Sequence, residues 1–521
     1  MAVGTVLSRV TGVGRLVAMT YALGVAESRL ADAYTIANTL PNVLFELVLG
    51  GILTSVLVPV VVAELRNHES DDAWRSISEL VTAALALLVA VSVVTMVAAP
   101  WIVGAFSGRL DGVRAARQQE LATFLLRFFA PQIALYGVAA LAAGLLNAHD
   151  RFAVPMFAPI LNNLVVIATF VRFAQLTPAD VSDATVTQSE GTLLLLALGT
   201  TAGVAAMALA HLPALRALPG RIRLHLDLSS PAVRSLGRLS GWTLGYVVAN
   251  QVSFGLVLLL ANGVQGGPTA FAVAFAFFQL PYGVAAVSIM TALFPRLSAE
   301  VAEGDDAAVA ATVTTGLRSI ALVMLPATAA YLVLAKPVVA AVLERGVMGP
   351  ESSELVAGVL VMFAVGLLPF SVFLWALRAF YARHDARTPF AVNAVANLAY
   401  VVAALVLYRP NGVAGLALAH SISYVVGAGL ALAVLSRRVR SLELRALAGP
   451  WARVAVAATV CGVVMSIAVD RVDGGSAARV GAAGGVGLVV FLVAARLLRA
   501  DLDLVRGLRP ARRAHPTSWG G

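Results

Sequence analysis

The chain is short of charge, of lysine and of cysteine, and each shortage excludes something. Asp, Glu, Lys and Arg make up 12% of its 521 residues, about half the share of a soluble domain, so an ordinary water-soluble fold is excluded. Only Lys336 is a lysine among the 37 basic residues, and no basic patch with interleaved aromatics accompanies the net charge of +9. Nucleic-acid binding is therefore excluded, and the excess of arginine reads as membrane topology and lipid-headgroup contact. Cys461 stands alone in an apolar segment, where it cannot form an internal disulfide and serves packing. Metal-ligand spacings, phosphate-binding loops and nucleophile elbows are missing as well. "GVGRLV" lacks the last glycine of a dinucleotide fingerprint, and Asp71-Asp72 in "NHESDDAW" reads as a solvated loop rather than a catalytic carboxylate pair. We expect no enzyme, no cofactor and no resident metal; work done by the chain has to draw on an ion gradient or the membrane potential, about 2.3 kcal/mol per charge per 100 mV.

What is present is hydrophobic length. Apolar residues are 60% of the chain and mean hydropathy is +0.87. The chain contains fourteen apolar segments, near 8–25, 33–63, 77–105, 121–147, 156–175, 190–211, 233–261, 268–293, 311–335, 353–381, 388–408, 411–436, 450–470 and 478–499, each long enough to cross a bilayer. The first lacks a basic leader and a small-residue cleavage site, so it is expected to be retained. Arg216, Arg221, Arg223, Arg234 and Arg238 share one side with Arg378, Arg383, Arg387, Arg437, Arg438, Arg440, Arg445 and the tail, whereas "QLTPADVSDATVTQSEG" and "NGVQGGP" on the other side have no basic residue. The positive-inside bias puts both termini in the cytoplasm of a multi-pass cell-membrane protein; Arg109, Arg114 and Arg117 run against it.

The chain also repeats itself. Leu40-Pro41 with Pro59, Ala63 and Glu64 answers Leu280-Pro281 with Pro295, Ala299 and Glu300; His149-Asp150, Pro155 and Asn163 answer His384-Asp385, Pro389 and Asn397, all 234 to 240 residues apart. A unit of six crossings returns to its starting side, so the two copies run parallel and are expected to face each other across a cavity. This divides the chain into an N-terminal lobe (1–225), a C-terminal lobe (226–445), two further helices (446–500) and a tail (501–521). The fold class is thus an all-α polytopic membrane protein of about fourteen helices in two parallel six-helix lobes.

"SRVTGVGR", "ADAYTIANTLPN", "LNAHDRFAVPMFAPILNN", "LFPRLS", "FYARHDARTPFAVN" and "GVAGLALAHSISY", in this order, together resemble the MurJ (MviN) family, lipid II flippases of the multidrug/oligosaccharidyl-lipid/polysaccharide exporter superfamily. The resemblance covers nearly the whole chain and is to an actinobacterial branch. It implies two six-helix lobes, a central cavity, a lipid-tail groove at the last two helices, and movement of the undecaprenyl-pyrophosphate-linked peptidoglycan precursor from the cytoplasmic to the outer leaflet. Implied partners are lipid II and membrane lipids, with cell-wall synthesis proteins as candidates. Export of another polyprenyl-linked glycan or of a small molecule, and a non-transporting scaffold for cell-wall enzymes, stand as alternatives.

The candidate substrate-binding residues are Arg9, Arg15, Asp32 and Glu46. The first two match the family's serine-arginine pair and second arginine of helix one, and Asp32 matches an aspartate opening helix two. A pyrophosphate cannot enter hydrocarbon without a large desolvation cost, and arginine forks in a wet cavity offset it with charge-assisted hydrogen bonds. Arg15 lies about 10 Å into its helix, too deep to reach headgroups easily, while Arg9 is close enough to snorkel. Six residues separate them by about 120°; Gly12 and Gly14 serve either a distortion that brings them together or a close helix contact. Glu46 is an acid in an apolar helix, read either as a partner for Arg15 or another buried polar group, or as a coupling-ion site. Phe45 and Glu46 stand where many relatives carry an arginine pair, Leu16 where they carry an aspartate, and Ala276 near a basic position. Arg127 and Arg378 read as helix-end residues, Asn162, Asn163, Asn250, Gln251, Asn393 and Asn397 as interhelical hydrogen-bonders, and His420 as packed.

Overall fold

Backbone amides and carbonyls in hydrocarbon have no water to bond, so a chain this apolar satisfies them within helices. A computed structural model describes residues 2–50, 70–107, 113–177, 190–225, 227 and 241–499, and among these there is no strand. The helices are α1 (Ala2–Leu23), α2 (Leu30–Phe45), α3 (Ser70–Ser107), α4 (Val113–Phe129), α5 (Gln132–Ala148), α6 (Ala153–Leu176), α7 (Glu190–Leu209), the short α8 (Leu212–Arg216), α9 (Gly241–Ala261), α10 (Gly267–Pro281), α11 (Val287–Glu303), α12 (Asp306–Leu343), α13 (Pro350–Ala364), α14 (Leu367–Ala382), α15 (Arg387–Arg438), α16 (Ala448–Arg471) and α17 (Ser476–Leu497). Ten helical stretches are long and apolar enough to cross a membrane, and α13 with α14, bent by 48°, makes an eleventh. The 52-residue α15 breaks at Gly412, where φ is 53°. Dividing it there and adding α1 and α2 yields the fourteen segments expected from hydropathy. Pro59, Ala63 and Glu64 of the first repeat motif, Arg109, Arg234, Arg238, the side chains of Asp71, Asp72 and Arg114, and the tail from residue 500 lie outside what is described.

The internal repeat recurs as local geometry. Asp150 (φ 58°) and His384 (φ 56°) are left-handed residues 234 positions apart, a conformation that Asp and His tolerate better than most side chains. Each closes a helix in the same way: Arg151 N–H donates to Leu146 O at 2.9 Å, and Asp385 N–H to Phe380 O at 3.1 Å, satisfying end carbonyls that the helix itself cannot. Asn163 donates to Ser8 O (3.3 Å) and Thr11 Oγ1 (3.0 Å), and Asn397 to Asn250 Oδ1 (2.8 Å), so in both copies an asparagine of the fifth crossing holds the first. The third recurrence is not legible in the sequence. A π turn, Glu46–Gly50, follows Leu40-Pro41, and a second, Tyr282–Ala286, follows Leu280-Pro281, 236 residues later.

Two compact units contain these elements. The first comprises 1–277, 335–363 and 386–423, and the second 278–334, 364–385 and 424–521, so neither is continuous in sequence. In the first, Tyr34 is enclosed by the edges of Phe129 (5.6 Å) and Phe170 (5.3 Å) while its hydroxyl pairs with Thr200 at 3.1 Å. His420 is packed, as expected, among the rings of Phe275, Phe363 and Tyr400. Trp74 lies flat against Gly220, and past that glycine the extended residues 221–225 run along α3, with Arg223 and His225 amides donating to Ser78 and Thr82. In the second unit Tyr424 meets Phe370 and Phe373, the Trp375 indole donates to Val313 O at 3.1 Å, and Arg378 stacks on Phe294. Cys461 is a packing residue there; its thiol donates to Gly487 O across the α16–α17 hairpin.

Small residues set the closest helix approaches, as expected without a hydrophobic drive between helices in lipid. At Gly203 of α7 an added Cβ would lie 2.6 Å from Asn162 Oδ1, 2.8 Å from Val166 Cγ2 and 3.1 Å from the Asn162 carbonyl, whereas at Gly255 of α9 it would meet nothing within 4 Å. Gly203→Ala is therefore expected to destabilise the protein by about 1–3 kcal/mol, read as a lower unfolding temperature in detergent, with Gly255→Ala unchanged or slightly higher. Equal unfolding temperatures for the two variants would contradict the close α6–α7 packing.

Candidate functional site

Arg9 and Arg15 fall on one uninterrupted helix. Gly12 and Gly14 do not distort α1; they face α6, where Cβ atoms would stand 3.8 Å from Asn163 and 3.4 Å from Ile167. Their task is close contact, and the arginines keep their separation of about 120°. Arg9 is exposed and Arg15 half-buried. Arg15 lies close enough to Tyr34 of α2 and Tyr136 of α5 for its charge to act on both hydroxyls. Asn42, of the "LPN" motif, donates to the Tyr136 hydroxyl at 3.5 Å, and Phe45 sets its ring 6.0 Å from that of Tyr136. One permanent cation thus shares a neighbourhood with two phenols and an amide, and Arg15 forms no ion pair with a described residue. Tyr34 donates to Thr200, which itself donates to Leu196 O, and Asn42 donates to Asn38 O and Tyr136, so the Arg15 guanidinium and the Tyr136 hydroxyl are the donors this set offers to an anion. Tyr34, Tyr136 and Asn42 were not singled out from sequence, because a lone tyrosine or asparagine in an apolar run looks the same whether it packs or binds.

Glu46 stands apart from this group. The expected Arg15–Glu46 partnership is not formed: Phe45 is the residue turned toward Tyr136, and Glu46, about 100° further round, is exposed at the start of the π turn. Its backbone N–H donates to Asn42 O, and its carboxylate makes no hydrogen bond or ion pair with a described residue.

Asp32 has a different occupation from a free ligand. Its carboxylate is fully buried and accepts from Gly266 N–H at 2.7 Å, Thr269 N–H at 3.3 Å and Thr269 Oγ1 at 2.9 Å, with Arg29 Nη1 at 3.9 Å. It caps α10, supplying negative charge where the first amides of that helix lack partners. Gly266 permits this because its φ is 77° and any Cβ would strike the backbone of Val25 and Ala26. In this state no carboxylate oxygen of Asp32 remains for a substrate.

Around it the α1–α2 turn bonds to both neighbouring turns of the same unit. Gln265 donates to Ala26 O (2.8 Å), Ala26 N–H to Ser352 Oγ (2.9 Å) and Val347 N–H to Tyr21 O (3.0 Å). Glu27 accepts from the amides of Val25 and Gly349, both at 2.6 Å. Arg29 reaches Gln118 Oε1 and Asn262 O, and Gln118 donates to Asn262 Oδ1 at 2.6 Å. This end of the helices is therefore closed by a network tying the first crossings of one repeat to residues of the other. Of its members only Asp32 was marked in advance.

Removing the Asp32 acceptor leaves buried amides without partners, at about 1–3 kcal/mol for each such group. Asp32→Ala is expected to raise hydrogen exchange at Gly266 and Thr269 by about tenfold or more, read by mass spectrometry on the protein in nanodiscs. Unchanged protection there would show that the cap does not hold this end shut.

The chain resembles known proteins over most of its length. The family model described as "Lipid II flippase MurJ" matches residues 19–475. A Rhizobium meliloti protein named "Probable lipid II flippase MurJ" is 28% identical over 89% of this chain and 85% of its own. A Burkholderia cenocepacia protein named "Lipid II flippase MurJ" is 29% identical over 74% of this chain and 72% of its own. Among solved structures, a lipid II flippase MurJ in an inward closed conformation superposes with a TM-score of 0.78 at 17% identity, covering 97% of this chain and 99% of that one. An inward-facing multidrug-resistance MATE transporter of the MOP superfamily reaches 0.67 at 14% identity over 85% of this chain and 99% of its own, a likeness of fold. With fourteen apolar segments, a repeated helical geometry and a family match over most of its length, the chain belongs to the MurJ lipid II flippase family.

Proposed function

We propose that the chain carries lipid II from the cytoplasmic to the outer leaflet by alternating access between two lobes, 1–225 and 226–445, with 446–500 serving the lipid tail. The observation that carries this reading is Arg15: a half-buried arginine beside Tyr34 and Tyr136, with no acid paired to it among the described residues. A permanent cation held in a membrane helix without a counter-ion needs an anion or water, and the substrate of this family supplies a pyrophosphate. Arg15 takes the forked phosphate contact, the Tyr136 hydroxyl donates beside it, and Arg9, exposed nearer the helix start, draws the anion toward the site. Asp32 acts by closing the opposite end while the substrate is loaded.

Both termini are assigned to the cytoplasm of a multi-pass cell-membrane protein. Support comes from the arginines at 216, 221, 223, 378, 383, 387, 437, 438, 440 and 445, all on the side of the termini. The Asp32 network then lies at the outer face, and the protein moves its substrate without covalent chemistry of its own.

The deciding measurement is the leaflet distribution of lipid II in cells of the source organism after depletion, rescued by wild type or Arg15→Ala at equal expression. Loss of a charge-assisted contact worth about 1.5–3 kcal/mol predicts flipping reduced about tenfold to a hundredfold, with lipid II retained on the cytoplasmic leaflet. Full rescue by Arg15→Ala would remove the arginine from the site. An undisturbed distribution on depletion, with no second flippase present, would remove the flippase reading.

A further inference from the structure

Glu46 is the one acid of α2 that neither the anion site nor the closing network uses. It comes after sixteen helical residues, about 24 Å along the axis from Leu30, in a membrane whose apolar core is about 30 Å thick. Leu44, Phe45 and Val48 around it pack into a buried cluster with Trp74, Leu88 and Leu145, whereas Glu46 is exposed. An ionised carboxylate on a membrane helix needs water or a cation, and no described cation bonds to it.

The second repeat supplies a comparison within the chain. The equivalent π turn starts at Tyr282, whose ring packs on Phe370 at 4.8 Å between centroids. The π turn of the second repeat, which starts directly after Pro281 where that of the first starts five residues past Pro41, thus begins with a packed ring, and that of the first begins with an exposed acid. A carboxylate resists packing of that kind because of its desolvation cost, and a neutral carboxyl does not. π turns hold one residue more per turn than the α ladder, so a change between the two re-aims the side chains of the turn. The turn at Glu46–Gly50 packs against α9, the first crossing of the second repeat.

We propose that Glu46 is a proton-binding site whose protonation lets the α2 π turn repack against α9, making a proton a coupling ion for movement between the repeats. The step is proton binding alone: solvent supplies H⁺ to the carboxylate as the site is wet, and the neutral carboxyl returns it when rehydrated on the other side of the cycle. The ionisable groups on surrounding elements are Arg9, Arg15 and Tyr21 of α1, Asp32 and Tyr34 of α2, Tyr136 of α5, Tyr246 of α9 and the Arg75–Glu79 pair of α3. Asp32 is held by α10 and Glu79 by Arg75, so Glu46 is the carboxyl of this set without a described partner, and the Glu46 variants separate its response from that of the others. The proposal rests on the transport reading for its purpose, and its test does not need lipid II.

That test uses the full chain in nanodiscs with Cys461→Ala and spin labels at Thr39→Cys of α2 and Val252→Cys of α9, with distance distributions recorded from about pH 8 to about pH 4, the range that spans carboxyl titration. Wild type should shift between two distributions; Glu46→Gln should show the low-pH distribution at every pH, and Glu46→Asp should regain the shift. Glu46→Ala takes the place of the glutamine variant if that variant does not assemble, since it is equally unable to titrate. A wild type without a pH response, or a glutamine or alanine variant that shifts as wild type does, would overturn the proposal. Failure of lipid II rescue with an intact pH shift would fall on the flippase reading instead.

Discussion

A carboxylate with no water around it has to be met by donors, and the burial of Asp32 against the first amides of α10 organises one end of the molecule. The left-handed Gly266, the bonds from the α1–α2 turn to the turns at 262–266 and 346–352, and the Arg29–Gln118–Asn262 chain all lie around that cap. Each relieves a backbone group that the end of a membrane helix would otherwise leave unbonded. The closure is thus made of many modest polar contacts around one charged one. Each such bond is individually modest, because water can replace it.

The two repeats share construction and divide labour. The asparagine that ties the fifth crossing to the first, the left-handed residue at Asp150 and His384, and the π turn after each Leu-Pro pair are features of the backbone common to both copies. The side chains on that backbone differ. Arg15 has no described counter-ion in the first copy, and the π turn bears an acid there and a packed tyrosine in the second. The backbone is thus repeated more closely than the polar side chains it carries.

Much of this was legible in the residues. Leu40-Pro41 with Leu280-Pro281, His149-Asp150 with His384-Asp385, and Asn163 with Asn397 showed the repeat by their common spacing, and the asparagines read as interhelical hydrogen-bonders. Arg15 stood out as a charge where charge is costly. Glu46 was legible as an anomaly but not in its partners: pairing with Arg15 satisfied charge on paper, and Phe45 took the facing direction instead. The occupation of Asp32 was hidden because the donors it accepts from, Gly266 and Thr269, lie more than 230 residues away along the chain.

Sequence alone determined that the chain is a bundle of fourteen apolar helices with an internal repeat and an arginine well inside the first, since hydropathy, proline and spacing act locally and survive without knowledge of contacts. Only the tertiary structure decided which polar groups meet: that Asp32 closes α10, that Arg15 sits with Tyr34 and Tyr136, and that Glu46 is left exposed at a π turn. The physical reason is that the partner of a buried charge is chosen by the direction of its side chain and the residues brought beside it in space, and neither is written in the distance between residues along the chain.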